Sequence, residues 1–206
     1  MNILIHPTYC PSIATFVAIA KADSVVMEIQ DNYQKQTYRN RCYIYAANGK
    51  LQLSIPVVFS QKNRQKYSEV KIANTYKWQD NHWKSLESAY RTSPYFEFYE
   101  DDLKPIFFKP ADSLIKFNLE AFDLICELLD LNIKYSFTTE YFKNPSQQNL
   151  RYLVNPKLKI DFKLDSYFQV LTKQHEFLPN LSILDLLFNE GPNAITYLEK
   201  QNLDDI

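Results

Sequence analysis

The stretch NILIHPTYCPSIATFVAIAKADSVVMEI, residues 2–29, decides the fold. Its first four residues form a short apolar run that stops at His6-Pro7, as expected of a buried strand. Residues 12–22 then carry apolar side chains at helical spacing, with Ser12 as the candidate N-cap. SVVMEI, residues 24–29, has the composition of a second strand. Because a strand that follows a crossover helix pairs in parallel, the sequence predicts a βαβ unit at its start.

A hairpin is predicted directly downstream. In RCYIYAANGKLQLSIPV, residues 41–57, two strand-like runs flank Asn48-Gly49, the preferred pair for a tight turn in which both central residues have positive φ. Combined with the βαβ unit, this predicts an α/β fold. We expect one domain over residues 1–206, with a mixed sheet, an N-terminal βαβ unit and an antiparallel hairpin, flanked by helices.

The remaining elements are read from shorter patterns. Residues 80–91 predict an amphipathic helix capped by Asp80, and residues 112–131 a second helix with Asn118 as a cap or break. Residues 182–190 predict a third, which Gly191 ends in the left-handed conformation and Pro192 keeps from continuing. Further strands are expected at residues 68–72, 133–141 and 157–162.

Composition excludes several classes of function. With only two glycines, Gly49 and Gly191, the chain has neither a Walker A loop nor a GxGxxG fingerprint, and no motif specifies a cofactor. A formal charge of −1 gives no basic field for nucleic acid, and no apolar run reaches the length of a membrane span. The N-terminus lacks a signal-peptide pattern, and the three scattered cysteines indicate reduced thiols, so we expect a cytoplasmic protein. His6 and Cys10 have ligand-like spacing, but without a second pair no metal site is expected.

The segment YRNR contains the densest group of candidate binding residues. If it is extended, Arg39 and Arg41 point to one side, roughly 6–7 Å apart, with Asn40 between them. Two guanidinium groups at that spacing can grip a phosphate or a carboxylate. The alternative is a pair of solvated arginines at the entrance to the hairpin.

The helix at residues 80–91 offers a second cationic face. Lys84, Ser88 and Arg91 fall at i, i+4 and i+7, opposite an apolar face, and could form a wall for an anion. They could equally be the solvated face of an amphipathic helix. On a third face, His82 is a candidate acid or base, or else a histidine of the core or surface.

His6 follows the first strand, and ligands of open α/β sheets gather at the carboxyl ends of strands. His6 could therefore contact substrate, with Tyr9 beside it, or it could simply be a turn histidine bonded to backbone. A histidine in this place is similar to that of nucleotidyl-transferring proteins, although their paired-histidine motif is missing here.

The stretch PNLSILDLLFNEGP, residues 179–192, carries Ser182, Asp185 and Asn189 on one stripe of an otherwise apolar helix. Ser182 and Asp185 fit a capping box, with Asn180 as a rival cap, and Asn189 could bond to backbone at the helix end. Because an unpaired buried carboxylate is costly, we expect Asp185 to be hydrogen-bonded, with an arginine from YRNR or Arg91 as its partner. Such a pair could organise a ligand site or lock the fold.

Four motifs, in order along the chain, resemble the WbqC-like family: IHPTYCPS, YRNRC, HWKSLESAYRTSPYFEFY and FLPNLSILDLLFNEGP. The resemblance extends over nearly the whole chain. It implies a role in O-antigen or other surface-polysaccharide biosynthesis, with transfer of glycine as a suggested activity. The chain departs from the family pattern at Pro7, where glutamine is common, and in CPSIATF, where an aromatic residue and a glycine are usual. Residues 143–165 are short and lack glycine, which would suit a smaller or different ligand.

Two classes of function follow from these residues. The first is an enzyme that transfers an aminoacyl or acyl group to a sugar, in which the cationic residues bind an anionic donor or a sugar nucleotide and His82 or His6 moves protons. The second is a binding or assembly protein with the same cationic pocket and no chemistry. Nucleotidyl transfer is a third, weaker alternative.

Overall fold

In the computed structural model, residues 1–58, 64–158, 160, 162–171 and 176–202 are described. The strands are β1 (Asn2–Ile5), β2 (Ser24–Met27), β3 (Arg41–Ala46), β4 (Gly49–Ser54), β5 (Val57–Val58), β6 (Lys71–Ile72), β7 (Tyr135–Phe137) and β8 (Gln148–Asn149). The helices are α1 (Ile13–Ala20), α2 (Trp78–Tyr90), α3 (Phe96–Leu103), α4 (Leu114–Leu128), α5 (Ile183–Glu190) and α6 (Ala194–Lys200). Short 3₁₀ turns occur at Tyr67–Glu69, Lys104–Phe108, Arg151–Val154 and Gly191–Asn193.

The βαβ prediction is confirmed. Strand β1 pairs in parallel with β2, with Ile3 opposite Val25, and α1 connects them. Within the described residues the main sheet has the order β7-β2-β1-β8, and each neighbouring pair is parallel. The chain therefore leaves β1 towards one edge of the sheet and returns to its other side at β8.

The hairpin is also confirmed. Strands β3 and β4 pair antiparallel from Arg41 opposite Ser54 to Ala46 opposite Gly49, and Gly49 has a φ of 94°. A second small antiparallel pair, β5 with β6, completes the mixed α/β architecture around one hydrophobic core.

Helix α5 is central to this core. Its apolar residues from Ile183 to Phe188 are at most 1% exposed. Its start is tied to the start of α1, because the Ile13 amide donates to the Leu181 carbonyl and the Ile183 amide donates to the Pro11 carbonyl. The rival cap Asn180 serves the other helix, since its Oδ1 accepts from the amide of Ala14 in α1 at 2.9 Å.

Several local predictions are wrong. Helix α2 begins at Trp78 with Lys77 at its N-cap, so Asp80 lies in the first turn and not at the cap. Asn118 neither caps nor breaks a helix: it is buried within α4, and its Nδ2 donates to the Arg39 carbonyl and the Tyr67 hydroxyl, both at 2.7 Å. A buried asparagine inside a helix is tolerated here because these partners replace water.

Three strand predictions also need correction. Of residues 133–141, only Tyr135–Phe137 forms a strand. Of residues 68–72, only Lys71–Ile72 forms a strand, because the preceding residues form a 3₁₀ turn. The expected strand at residues 157–162 is not found at positions 157, 158, 160 and 162, and positions 159 and 161 lie outside the described residues.

Candidate functional site

A cleft of about 370 Å³ lies at the carboxyl ends of β1 and β8. His6 directly follows β1, Asn149 ends β8 and Arg151 follows it. This is the point at which the order of the parallel strands reverses, and open α/β sheets bind their ligands in the crevice formed there. The described lining residues are His6, Asp31, Gln34, Arg39, Tyr141, Lys143, Asn149, Arg151, Tyr152, Val154, Asn155 and Leu158.

His6, Asp31 and Arg39 form a hydrogen-bonded cluster in the wall of this cleft. Arg39 Nη2 lies 2.8 Å from Asp31 Oδ2 and 2.7 Å from His6 Nε2, and those two acceptors are 3.1 Å apart. Because a guanidinium group only donates, His6 Nε2 accepts from it and the imidazole is neutral with its proton on Nδ1. The Nδ1 atom is buried and has no partner within the described part of the chain.

Burial and charge fix the ionisation of this cluster. Burial, and then the charge of Arg39, lower the pKa of His6 to about 4, although the hydrogen bond that a protonated His6 would donate to Asp31 opposes the shift. Burial acts to raise the pKa of Asp31, but the neighbouring His6 and the charge of Arg39 outweigh it and hold that pKa below its ordinary value. At neutral pH the cluster therefore holds a neutral imidazole, a carboxylate and a guanidinium group.

The position of Arg39 depends on contacts on every side. The residue is fully buried, its guanidinium carbon lies 5.4 Å from the centre of the Tyr67 ring, and its backbone carbonyl accepts from Asn118. Nη1 lies within 3.4 Å of the Thr37 hydroxyl, whereas Nε has no partner among the described residues. Because little water screens this guanidinium group, its charge acts strongly on the neighbouring His6 and Asp31.

Arg151 is fixed on the opposite side, after β8. Its Nε donates to Asn149 Oδ1 at 2.9 Å, its Nη1 to the fully buried Glu28 at 3.3 Å, and its Nη2 to the Lys143 carbonyl at 3.1 Å. It also lies over the ring of Tyr141, 4.8 Å from the ring centre. With Arg39 and the exposed Lys143, it gives the described lining three cationic side chains against the one carboxylate of Asp31.

Two of the residues selected from sequence, His6 and Arg39, meet in this cleft. Tyr9 and His82 instead form a buried pair, with the Tyr9 hydroxyl 2.9 Å from His82 Nδ1. Burial lowers the pKa of His82 to about 4, and a hydrogen bond to the backbone of Ser54 opposes that shift. The ring of Trp78 packs against the imidazole, so His82 occupies the position of a core histidine.

Arg39 and Arg41 do not lie in one extended strand, as the predicted spacing requires. Arg39 is in a turn, and β3 begins only at Arg41, so the two-residue alternation of a strand does not apply to them. Arg41 donates to Gln52 Oε1 across the hairpin at 3.0 Å, and Asn40 donates to the Ile55 carbonyl at 2.8 Å. Neither is among the described residues that line the cleft.

The cationic stripe of α2 lies on its solvent-exposed face. Lys84 pairs with Asp80 at 2.8 Å and Arg91 pairs with Glu87 at 3.1 Å, both one helical turn apart, and Ser88 is exposed between them. Exposed pairs of this kind contribute little to stability and are typical of an amphipathic helix. None of the three cleft-binding candidates on this face is among the described residues that line the cleft.

The polar stripe of α5 is a buried hydrogen-bond network. Ser182 caps the helix by accepting from the Leu184 amide, but Asp185 takes no part in a capping box. Its carboxylate accepts from the hydroxyls of Tyr90 and Tyr167 and from Gln169 Nε2, so the prediction of an arginine partner is wrong. Burial raises the pKa of Asp185, and these hydrogen bonds oppose that effect.

Asn189 bonds to backbone, as expected. Its Nδ2 donates to the Asp185 carbonyl at 2.7 Å, and its Oδ1 accepts from the Val170 amide at 3.2 Å. Neither Asn189 nor Asp185 lines the cleft in the described part of the chain.

Sequence reasoning missed Asp31, Lys143, Asn149 and Arg151. Asp31 could have been found, because it lies four residues beyond the end of β2, at the same edge as His6. Arg151 could not, because β8 has only two residues and the stretch that ends with it, KNPSQQN at residues 143–149, has the composition of an exposed loop.

Comparison with known proteins decides the family. The model of the WbqC-like protein family matches residues 6–160, three quarters of the chain. The chain belongs to the WbqC-like protein family. The match includes His6, Asp31, Arg39 and Arg151, all on the cleft, whereas the α5 stretch, which carries much of the sequence resemblance, lies beyond it.

A curated relative aligns along almost the whole chain. It is "Uncharacterized protein Rv1507c" of Mycobacterium tuberculosis (strain ATCC 25618 / H37Rv), 27% identical over 222 residues that cover 95% of this chain and 96% of the relative. No solved structure matches the chain.

Within the described residues, no helix is both long enough and apolar enough to cross a membrane. No group of three or more histidine, cysteine or acidic side chains is placed to hold a metal ion in that part of the chain.

Proposed function

We propose that this WbqC-like protein is a group-transfer enzyme that binds an anionic, activated donor in the cleft between the ends of β1 and β8. The transferred group is an aminoacyl or acyl group, and the acceptor is a sugar of a surface polysaccharide. The observation that carries the proposal is the His6–Asp31–Arg39 cluster, which opens on the cleft at the reversal point of the sheet.

The charges of the cleft support an anionic donor. Arg39 and Arg151 are held in fixed orientations by their ion pairs with Asp31 and Glu28, so little side-chain freedom is lost when they bind a phosphate or a carboxylate. Lys143 adds a third positive charge at the rim. The exposed stripe of Lys84, Ser88 and Arg91 contributes nothing to this proposal, because its two cations already pair with acidic neighbours on their own helix.

His6 supplies the proton acceptor. Its neutral imidazole presents the Nε2 lone pair to Arg39, and an anion that accepts from Arg39 Nη2 in place of His6 frees that lone pair. The acceptor hydroxyl then attacks the carbonyl carbon of the donor, its proton passes to Nε2, and the bond from the carbonyl carbon to the anionic leaving group breaks. Asp31, 3.1 Å from Nε2, stabilises the imidazolium that forms.

Nucleotidyl transfer is the second candidate. It is favoured by the position of His6 immediately after the first strand of a parallel sheet whose order reverses beside that strand. In this case the donor is a nucleoside triphosphate and pyrophosphate is the leaving group. A binding protein that uses the same cleft without chemistry is the remaining alternative, and it differs by forming no product.

The compartment proposed for this activity is the cytoplasm, where activated donors are made. Support comes from Cys10, Cys42 and Cys126, which are buried free thiols, as is usual in reducing compartments.

The test is a thermal-shift screen against sugar nucleotides, nucleoside triphosphates, acyl carriers and free amino acids, with and without magnesium, followed by product analysis. A ligand that binds the folded state raises the melting temperature according to RT ln(1 + [L]/Kd). We expect one anionic class to do so, and the His6→Gln variant to bind that class while forming no product. Binding without product in wild type would support the binding protein instead, and no shift with any anion would contradict the proposal.

A further inference from the structure

A second, smaller cavity adjoins the cleft. It measures about 170 Å³, below the usual range of pockets for whole drug-sized ligands, and so suits a single small ring. Tyr152, Asn155 and Leu158 line both this cavity and the cleft. Tyr38 lines the cavity, and Arg39, the next residue in the sequence, lines the cleft. Ligands bound in the cavity and in the cleft would therefore be neighbours that share the lining residues Tyr152, Asn155 and Leu158.

Two asparagines in the cavity have amide groups of known orientation. Asn155 Oδ1 accepts from the Lys157 amide at 3.0 Å, and Asn180 Oδ1 accepts from the Ala14 amide at 2.9 Å. Because a backbone N–H can only donate, the atom facing it must be the oxygen, and the NH₂ group points elsewhere. Neither NH₂ group makes a hydrogen bond to the described residues, so each is available as a donor to a ligand.

The rest of the lining has a matching character. The Tyr38 hydroxyl forms no hydrogen bond in the described part of the chain, and burial raises the pKa of Tyr38 to about 12, so it stays protonated and can donate. Lys50 adds an ammonium group, and Tyr152 and Phe162 add aromatic faces. The cavity therefore combines hydrogen-bond donors with flat apolar surfaces.

From this geometry we propose that the cavity is the acceptor subsite and binds a sugar ring. A sugar ring presents many acceptor oxygens at its edge and a C–H face that packs on aromatic rings, which is the complement of this lining. The subsite rests on the proposed group-transfer function, because it places the acceptor hydroxyl beside a donor held by Arg39 and Arg151. The wall residues Tyr152, Asn155 and Leu158 mark where the two substrates meet.

The experiment is saturation-transfer NMR with free hexoses and N-acetylhexosamines at millimolar concentration, together with a calorimetric titration of pyrophosphate into the same samples. Three variants each remove one donor and keep the local structure: Tyr38→Phe, Asn155→Asp and Asn180→Asp. The two aspartates retain the oxygen that accepts from Lys157 or Ala14. Tyr76→Phe, at an exposed tyrosine that does not line the cavity, is the matched control.

We expect at least one sugar to bind wild type, and each variant to weaken that binding roughly five- to tenfold, as for loss of one hydrogen bond. Pyrophosphate affinity should stay within about twofold in Tyr38→Phe and Asn180→Asp, because neither residue lines the cleft, whereas Asn155→Asp adds a charge to the shared wall and is compared for sugar affinity alone. Tyr76→Phe should leave both affinities unchanged. Sugar binding that is absent, or equally strong in all three variants, while pyrophosphate still binds would overturn the subsite and leave the proposed function standing. Failure of pyrophosphate to bind wild type would overturn both.

Discussion

Two aspartates mark two different regions of the molecule, one at the open cleft and one inside the core. The Asp31 side chain is 17% exposed, faces the cleft and pairs with Arg39 and His6. Asp185 is fully buried on α5 and is surrounded by neutral donors. A carboxylate that is paired with a cation beside an open cleft can exchange that partner when a ligand enters. A carboxylate enclosed by hydroxyl and amide donors can only hold those donors in place.

The direction of each hydrogen bond at Asp185 supports this distinction. The Tyr90 hydroxyl accepts from the Tyr45 amide at 3.0 Å, so its own proton goes to Asp185 Oδ1 at 2.7 Å. Gln169 Nε2 donates to Asp185 Oδ2 and to the Leu178 carbonyl, and Gln169 Oε1 accepts from the Leu178 amide. The network therefore ties α2, α5 and the irregular segment at residues 162–171 together.

The largest effect is expected from Asp185→Ala. It leaves two tyrosine hydroxyls and one amide donor buried without their acceptor, and we expect the free energy of unfolding to fall by roughly 4 kcal/mol. Urea denaturation followed by circular dichroism measures this. Asp185→Asn, which keeps one acceptor and the volume, should lose less. If pyrophosphate affinity of the folded variant dropped as well, the separation of the two regions would be incorrect.

The lowered pKa values of His6 and His82 predict a loss of folding stability in acid. Their folded-state pKa values, about 4 for both His6 and His82, lie below the ordinary 6.5, so the unfolded chain binds more protons between these limits. Stability is therefore complete above pH 6.5 and declines as the pH falls towards 4, by roughly 2–3 kcal/mol for each histidine. His6→Gln and His82→Gln should each flatten that decline in a pH series of urea midpoints.

The same two variants sharpen the comparison. We expect His6→Gln to abolish turnover and His82→Gln to retain it, with the pyrophosphate affinity of both variants close to that of wild type, because of the two histidines only His6 lines the cleft in the described structure. Loss of turnover in the folded His82→Gln variant would show that the core histidine belongs to the site.

Arg39→Lys should weaken pyrophosphate binding by about tenfold. The lysine keeps the charge, but its single ammonium group cannot reproduce the planar guanidinium group whose Nη2 contacts Asp31 and His6 while Nη1 lies near Thr37. Calorimetric titration gives the affinity, and circular dichroism confirms folding. An unchanged affinity would remove Arg39 from the binding account.

The smallest expected effect is on pyrophosphate affinity, and it distinguishes two exposed lysines, Lys143 and Lys84. Lys143→Gln should weaken pyrophosphate binding by about threefold, since an exposed charge at the rim is screened by solvent and salt. Lys84→Gln, which removes a lysine from the outer face of α2, is the matched control and should leave the affinity unchanged. The reverse order of effects would move the anion site to α2.

Secondary structure was predicted correctly from sequence where the local pattern is long. The βαβ unit and the hairpin follow from long local patterns and the Asn48-Gly49 turn, and both are confirmed. Asp80 was misplaced as a cap because the helix start depends on tertiary packing of Trp78, which local propensity does not report.

The site was only half accessible from sequence. His6 could be chosen because a strand ends just before it, and Arg39 because it belongs to a cluster of charge. The remaining cations, Lys143 and Arg151, lie more than a hundred residues away beside a two-residue strand, so only the folded sheet brings them to His6. Asp185 misled the prediction because buried carboxylates are satisfied by neutral donors as well as by arginine.

The most direct test of the cleft as the anion site is a titration of ¹⁵N-labelled protein with pyrophosphate, followed by amide chemical shifts. The account predicts that the largest changes fall on His6, Asp31, Arg39, Asn149 and Arg151, with little change at Lys84 or Arg91. Changes centred on α2 or on α5, with the ends of β1 and β8 unaffected, would contradict it.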